Sequence, residues 1–334
     1  MSQTTLSATQ PNRWLQRTVL GLLVAVILFA LAGALYQSLS ERRDRRAYPM
    51  PGELIDVGGY KLHIDCTGQG SPTVILDSGL GDTYISWRTV QPQFARVCSY
   101  DRAGLGYSDS SPHPRTSKNI AEELHTLLHH AGVPPPYILV GHSMGGFDVR
   151  LYASLYRNEV AGLVLVDSSH PEQRKRLPPA LLDLDASWVR QQEFLEFTMP
   201  FGIPRLLGFC DSDPEVRAAE CNFHSAREAV AELKSISESA AQTAATGPLG
   251  DLLLAVLSSD PEHPRPDLPE DLIKPTNDAW QQMQEELSHL STKGTRVVAK
   301  GSGHYIQIDR PEVVIEAVHN LVDQARQSQD TPPH

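Results

Sequence analysis

Short apolar runs separated by helical patterns constrain this chain more than any other feature. PTVILD (72–77), RVCSYD (96–101), YILV (137–140), GLVLVD (162–167) and TRVVAK (295–300) are each strand-sized and almost continuously apolar. Between them, 86–96, 116–132 and 145–156 carry helical spacing. In the second of these Ile120, Leu124, Leu127 and Leu128 share one face before Gly132 ends the pattern. Strands that alternate with helices build an α/β fold, a mostly parallel central sheet with helices on both faces. The unbroken apolar character agrees, because a central parallel strand is buried on both sides. ELIDV and YKLHIDC around Gly58-Gly59 predict a hairpin at the start of this unit. After Asp167 the rhythm breaks. Residues 170–249 are helix-like, rich in proline and charge, and lack strong strands. The rhythm resumes with DLLLAVLSSD (251–260), a proline-rich loop, a helix over 277–291, TRVVAK, and a helix from Pro311 to about Gln327. The expected organisation is a core over 53–169 and 250–327, an inserted helical lid over 170–249, and a disordered tail over 328–334. No internal repeat is visible.

The first fifty residues differ from the rest. They divide into a tail (1–17), an apolar segment (18–40) and a charged linker (41–52). Val19 to Tyr36 is almost wholly apolar or small, and no charged side chain occurs from Thr18 to Ser40. About 20 apolar residues span a bilayer's hydrocarbon core. Arg13 and Arg17 precede the segment, and Arg42, Arg43, Arg45 and Arg46 follow it. Basic residues on both flanks favour a single-pass N-terminal membrane anchor over a buried core helix. A cleaved signal peptide is the competing reading, with Ala30-Leu31-Ala32 resembling a cleavage site. The arginine count places the remainder in the cytoplasm. The cysteines point the other way. Cys66 and Cys98 lie in strand-like segments, and Cys210 and Cys221 lie close together. Two such pairs fit disulfides and an oxidising compartment, or else four buried thiols. The side of the membrane is therefore open.

Beyond Arg46 the chain holds 23 basic and 38 acidic residues, a net charge of −15. Such a surface repels phosphate backbones, which argues against a nucleic-acid partner.

The run YILV stops at Gly141-His142-Ser143-Met144-Gly145, and a helical pattern begins at once. A chain of this length shows Gly-x-Ser-x-Gly by chance about one time in ten at ordinary composition. The strand-to-helix setting carries the meaning: it is the context of a nucleophile elbow, with Gly141 and Gly145 leaving room for a sharp turn. A serine hydroxyl needs a base. Of the 13 histidines, His304 follows the TRVVAK strand in Gly301-Ser302-Gly303-His304, at the sheet edge where Ser143 is expected. A carboxylate between them in chain order should orient the imidazole. Asp260 is the preferred candidate because it ends the strand just before the one leading to His304, and Asp167, ending GLVLVD, is the alternative. The backbone N–H groups of Met144 and of Leu80, in the loop Asp77-Ser78-Gly79-Leu80-Gly81-Asp82, are the candidate oxyanion donors.

Together with DSGLGDTYISW, SYDRAGLGYSD, LVLVDSSHP and GSGHYIQIDRPEVV, these residues resemble the α/β-hydrolase fold family over roughly Glu53 to Ala325. The likeness is to serine hydrolases with a helical lid: esterases, lipases and proline iminopeptidases. Many members carry His-Gly at the oxyanion loop, where this chain has Ser78-Gly79. Many carry Gly-x-x-Asp before the acid, where this chain has Ser258-Ser259-Asp260. The resemblance implies hydrolysis of a small-molecule ester or amide through an acyl-enzyme, with no metal or organic cofactor. An acyltransferase or aminopeptidase would use the same residues. A non-catalytic ligand-binding protein is the reading from a different class.

Overall fold

The computed structural model describes residues 13–330. At its centre lies one eight-stranded sheet. Its strands are β1 (Glu53–Asp56), β2 (Lys61–Gly68), β3 (Thr73–Asp77), β4 (Arg96–Tyr100), β5 (Tyr137–His142), β6 (Val160–Val166), β7 (Leu253–Ser259) and β8 (Gly294–Ala299). They lie in the order β1-β2-β4-β3-β5-β6-β7-β8. The β1–β2 and β2–β4 pairings are antiparallel, and every pairing from β4 through β8 is parallel.

The helices, in chain order, begin with α1 (Arg13–Ala47), α2 (Ser117–His130) and α3 (Gly145–Leu155). The block after β6 supplies α4 (Gln173–Arg176), α5 (Ala180–Thr198), α6 (Ile203–Leu206), α7 (Pro214–Glu220) and α8 (Phe223–Ala244). Then come α9 (Glu270–Ser288), α10 (Ile306–Asp309) and α11 (Pro311–Asp330). The block after β6 contains no strand among the described residues, in keeping with its lack of apolar runs.

Alternation along each strand divides the core into two layers. Ile75, Leu139 and Leu163 turn toward Leu124, Leu127 and Leu128 of α2 and Val149 and Tyr152 of α3. Their neighbours Val74, Leu76, Ile138, Val140 and Val164 turn toward Val314, Val318 and Leu321 of α11. All of β3 and β5 is buried. Cutting a residue such as Leu139 to alanine would cost about 2–5 kcal/mol.

Several elements differ from the sequence reading. Residues 86–96 form two 3₁₀ turns, Tyr84–Trp87 and Gln91–Gln93, instead of a helix. Pro92 lacks the N–H a longer helix needs there, while Trp87 and Val90 still bury completely against the sheet. Helix α9 begins at Glu270, seven residues earlier than expected, and runs through Pro275. The acidic first turn, Glu270 and Asp271, suits the positive end of the helix dipole. Residues 41–47, read as linker, continue α1, because Asp44 is held by Arg205 at 2.6 Å and Arg217 at 3.4 Å. Helix α11 continues past Gln327 to Asp330. Residues 1–12 and 331–334, which include most of both expected tails, lie outside the described residues.

Both cysteine pairs are joined. Cys66 and Cys98 face each other in register across β2 and β4. Cys210 and Cys221 close a loop that contains the whole of α7. Because β3 and β5–β8 are parallel, their C-terminal ends lie on one edge of the sheet, and the polar residues singled out in the sequence follow those ends.

Candidate active site

Ser143 follows β5 with φ +52°, and Asp167 follows β6 with φ +40°. These are the only non-glycine residues with positive φ among those described. Such backbone costs on the order of 1–3 kcal/mol per residue and persists only where neighbours hold it. Here the neighbours are visible. The Ser143 N–H donates to the Val166 carbonyl at 3.1 Å, and the Ser169 N–H donates to the Ser143 carbonyl at 2.9 Å. The glycines of the elbow are steric necessities. A Cβ on Gly141 would lie 2.5 Å from the Gly145 carbonyl oxygen, and one on Gly145 would lie 2.6 Å from that of Ser78. Gly146, which the sequence reading passed over, would meet Ser168 Oγ at 1.9 Å.

The carboxylate that reaches His304 is Asp167. His304 Nδ1–H donates to Asp167 Oδ2 at 2.7 Å. Asp167 Oδ1 accepts from Trp280 Nε1 at 2.9 Å and from the Ser259 N–H at 2.8 Å. Burial pushes this carboxyl upward, but the bond and charge of His304, with the two other donors, hold it below the usual carboxylate range. It is therefore ionised at neutral pH. The preferred candidate, Asp260, is corrected by this geometry. Its oxygens are bound by the N–H of Gly301 at 2.8 Å, the N–H of Glu262 at 3.1 Å and Lys300 Nζ at 3.2 Å. Asp260 folds back on its own loop and pins the turn leading to His304.

His304 is partly open, with its side chain 41 % exposed. It lines a cavity of about 840 Å³ together with Asp167, Trp280, Tyr305, Leu177 and Leu181. Its carbonyl accepts from Nε2–H of His142 at 3.0 Å, and the two imidazole rings lie 4.7 Å apart. His142 is the residue just before Ser143, so this bond ties the histidine loop to the elbow. Burial, then the neighbouring His304 charge, push the His142 pKa down to about 3, so it stays neutral.

The loop after β3 lies beside the elbow. The N–H groups of Met144 and Leu80 donate to no other group among the described residues, and Met144 is the residue preceding α3, where helical N–H groups are unpaired. Ser78 turns its hydroxyl away, to the Thr83 carbonyl at 2.9 Å. Arg102, in the loop after β4, is the clamp of the loop after β3. It donates to the carbonyls of Ser78 (2.6 Å) and Gly79 (2.5 Å), to Asp77 Oδ1 (2.9 Å) and to Glu232 of α8 (2.6 Å). Glu232 in turn accepts from the Gly81 N–H at 2.9 Å. The loop, the sheet and α8 are thereby joined through one fully buried guanidinium. Sequence reasoning missed Arg102, Trp280 and His142. For Arg102 the available signal was its position directly after a strand.

Comparison with known proteins identifies the family of the fold. Residues 74–317 match the alpha/beta hydrolase family. The chain belongs to the alpha/beta hydrolase family. It is 27% identical over 258 residues to the uncharacterized protein YqjL of Bacillus subtilis, covering 76% of this chain and 85% of that protein. Other relatives are matched over less than half of their length. The chain spans 20% of "Probable transporter efuK" from Hormonema carpetanum, at 33% identity, and 47% of YbdG from Bacillus subtilis, at 27%. Among solved structures it resembles a thermophilic esterase from Thermogutta terrifontis, with TM-score 0.59 and 22% identity over 82% of this chain and 98% of that one. It also resembles the Cif epoxide hydrolase of Acinetobacter nosocomialis, with TM-score 0.65 and 12% identity over 86% and 96%. These likenesses define the fold and support hydrolysis. Because the neighbours differ in chemistry, the reaction must be argued from the side chains of this chain.

Proposed function

We propose that this protein is a serine hydrolase that cleaves a carboxylic ester or amide bond through an acyl-enzyme. The observation that carries the reading is the contact between ionised Asp167 and His304, on the same sheet edge as a serine held at positive φ. Asp167 fixes the tautomer with the proton on Nδ1, which leaves Nε2 to act as base. His304 takes the Ser143 proton as Oγ attacks the substrate carbonyl. The N–H groups of Met144 and Leu80 hold the oxyanion, each such donor being worth about 10²–10³ in rate. His304 then passes the proton to the leaving alkoxide or amine. Water, deprotonated by the same imidazole, attacks the acyl-enzyme, and His304 returns that proton to Ser143 Oγ as the acyl–oxygen bond breaks and the acid leaves. Serine, rather than aspartate, at the elbow supports acyl chemistry.

The same reading makes α1 a membrane anchor. It is 35 residues long, its most apolar window has mean hydropathy 2.7, and none of that window is buried. At 1.5 Å per residue the helix is about 50 Å long, more than the roughly 30 Å hydrocarbon core requires. The two disulfides favour an oxidising compartment for the catalytic part, against the arginine count.

The test is hydrolysis of a nitrophenyl ester series by the full chain in detergent, beside Ser143→Ala. The reading expects turnover that depends on Ser143. Turnover unchanged in the variant would overturn it. Acyl transfer to an added alcohol in preference to water would instead assign the same site to a transferase.

A further inference from the structure

Helix α1 and the block of helices after β6 meet at two levels. The first is polar. Gln37 Nε2 donates to the Cys221 carbonyl at 3.1 Å and Asp44 binds Arg205 and Arg217, while Arg45 reaches the loop after β4, donating to the Gly106 carbonyl at 3.3 Å. The second is apolar and lies nearer the N-terminus of α1. Gly33 packs on the backbone of Phe201 so closely that a Cβ there would sit 2.3 Å from the carbonyl oxygen. Beyond it, Val26, Phe29 and Tyr36 face Phe201, Ile203 and Leu206 across an apolar cleft of about 570 Å³. Val26 and Tyr36 are ten residues apart, about 15 Å along the helix axis. The segment around α6 thus runs beside the apolar stretch of α1 as well as its charged end.

That segment is itself apolar on the outside. From Phe197 to Phe209 the sequence FTMPFGIPRLLGF holds one charged residue, Arg205, and Asp44 neutralises it. Phe197, Leu206, Leu207 and Phe209 are 74, 67, 61 and 52% exposed. Contiguous exposed apolar surface of this kind marks a site that something else covers. It continues without a break onto α1, where Val26, Ile27, Leu28, Phe29 and Leu31 are also exposed. Arg42, Arg43 and Arg46 stand exposed at the polar level, where anionic lipid headgroups attract basic side chains.

We propose that the Phe197–Phe209 segment is embedded in the same lipid bilayer that α1 crosses, with the Gln37–Asp44 level at the headgroups. This rests on the anchoring role given to α1 above. A bilayer is the occupant that covers both surfaces at once, since the exposed side chains of α1 point to all sides of the helix. One consequence concerns access. A second cavity, of about 600 Å³, is lined by Leu195, Met199 and Phe209 and also by Gly81, the neighbour of Leu80. It therefore lies between the embedded segment and the candidate oxyanion loop.

The test uses the full chain, disulfides intact, in phosphatidylcholine vesicles. Single nitroxide labels are placed at Leu207→Cys and Phe197→Cys, with Leu28→Cys on α1 and Thr292→Cys on the far side of the sheet as references. Collision with oxygen is compared with collision with a water-soluble nickel complex. The proposal expects Leu207 and Phe197 to match Leu28, favouring oxygen, with Thr292 favouring nickel. If both match Thr292 while Leu28 favours oxygen, the embedding is wrong and the anchor stands. If both are shielded from either reagent, protein covers the patch and the proposal fails. If Leu28 itself favours nickel, the anchoring reading fails and the embedding with it.

Discussion

Two histidine–aspartate pairs in this chain share one distance and little else. His63 and Asp101 are 2.7 Å apart, as are His304 and Asp167. His63 is wholly buried, and its Nε2 is bound to the Pro51 carbonyl at 2.8 Å. Asp101 is filled by N–H donors from Tyr84 (2.8 Å) and Tyr107 (3.1 Å). That pair fastens the segment before β1 and the loop after β4 to the sheet. His304 is partly open, lines a cavity, and its Nε2 bonds to nothing among the described residues. A short imidazole–carboxylate contact is therefore not by itself a catalytic device. What sets the second pair apart is a free second nitrogen, on a histidine that lines a cavity at the sheet edge where Ser143 is held at positive φ.

The comparison can be broken most sharply at the open pair. Ser143→Ala should lower ester turnover by about 10⁴-fold or more, read as kcat on a nitrophenyl ester. Asp167→Asn should lower kcat by about 10⁴-fold, the cost of losing the correct tautomer, whereas Asp260→Asn keeps an oxygen for one of the Gly301 and Glu262 N–H groups and should lower it by at most about tenfold, what one hydrogen bond is worth. A larger loss from Asp260→Asn than from Asp167→Asn would show that Asp260, not Asp167, serves the histidine. Trp280→Phe removes one donor from Asp167. A bond to a charged group at about 1.5 kcal/mol corresponds to roughly tenfold in kcat/KM.

At the closed pair the effect should fall on stability. His63→Ala leaves a buried carboxylate short of its partner, a loss of about 3–5 kcal/mol in denaturant unfolding, with the folded enzyme's kcat nearly unchanged. Burial pushes the His63 pKa down, but Asp101 outweighs it, and the net shift is upward from 6.5. The pair's stabilisation is thus complete below pH 6.5 and fades as pH rises through the raised value. The gap between wild type and His63→Ala should be wider at pH 6 than at pH 9. A smaller effect is expected at Glu220, whose pKa burial and then Asp82 raise from 4.5 to about 8. The native state keeps a proton that the unfolded chain has lost, so stability falls as pH rises between those values. Glu220→Gln should flatten that part of the melting-temperature profile.

How much the sequence reveals follows the range of the forces involved. Strand and helix alternation is local, so the parallel sheet, the strand-to-helix turn at Ser143 and the loop before His304 were all legible. The acid was not. Asp167 and Asp260 both end apolar strands, and chain order allows either. The choice is made by backbone geometry after each strand. Asp167 turns at positive φ toward the histidine, a conformation aspartate tolerates better than most residues. Asp260 spends its oxygens on the Gly301 and Glu262 N–H groups. Arg102 was opaque for a similar reason, since three of its partners lie 23 to 25 residues away and Glu232 lies 130 away. The continuation of α1 past Glu41 was hidden too, because charged residues look like a linker until Arg205 and Arg217 are brought against Asp44.

Labelling with a fluorophosphonate, followed by peptide mass mapping, tests the central claim most directly. The account predicts one adduct, on Ser143, forming quickly in the wild type and in Asp260→Asn but far more slowly in Asp167→Asn. An adduct on another residue, or equal labelling rates in wild type and Asp167→Asn, would contradict it.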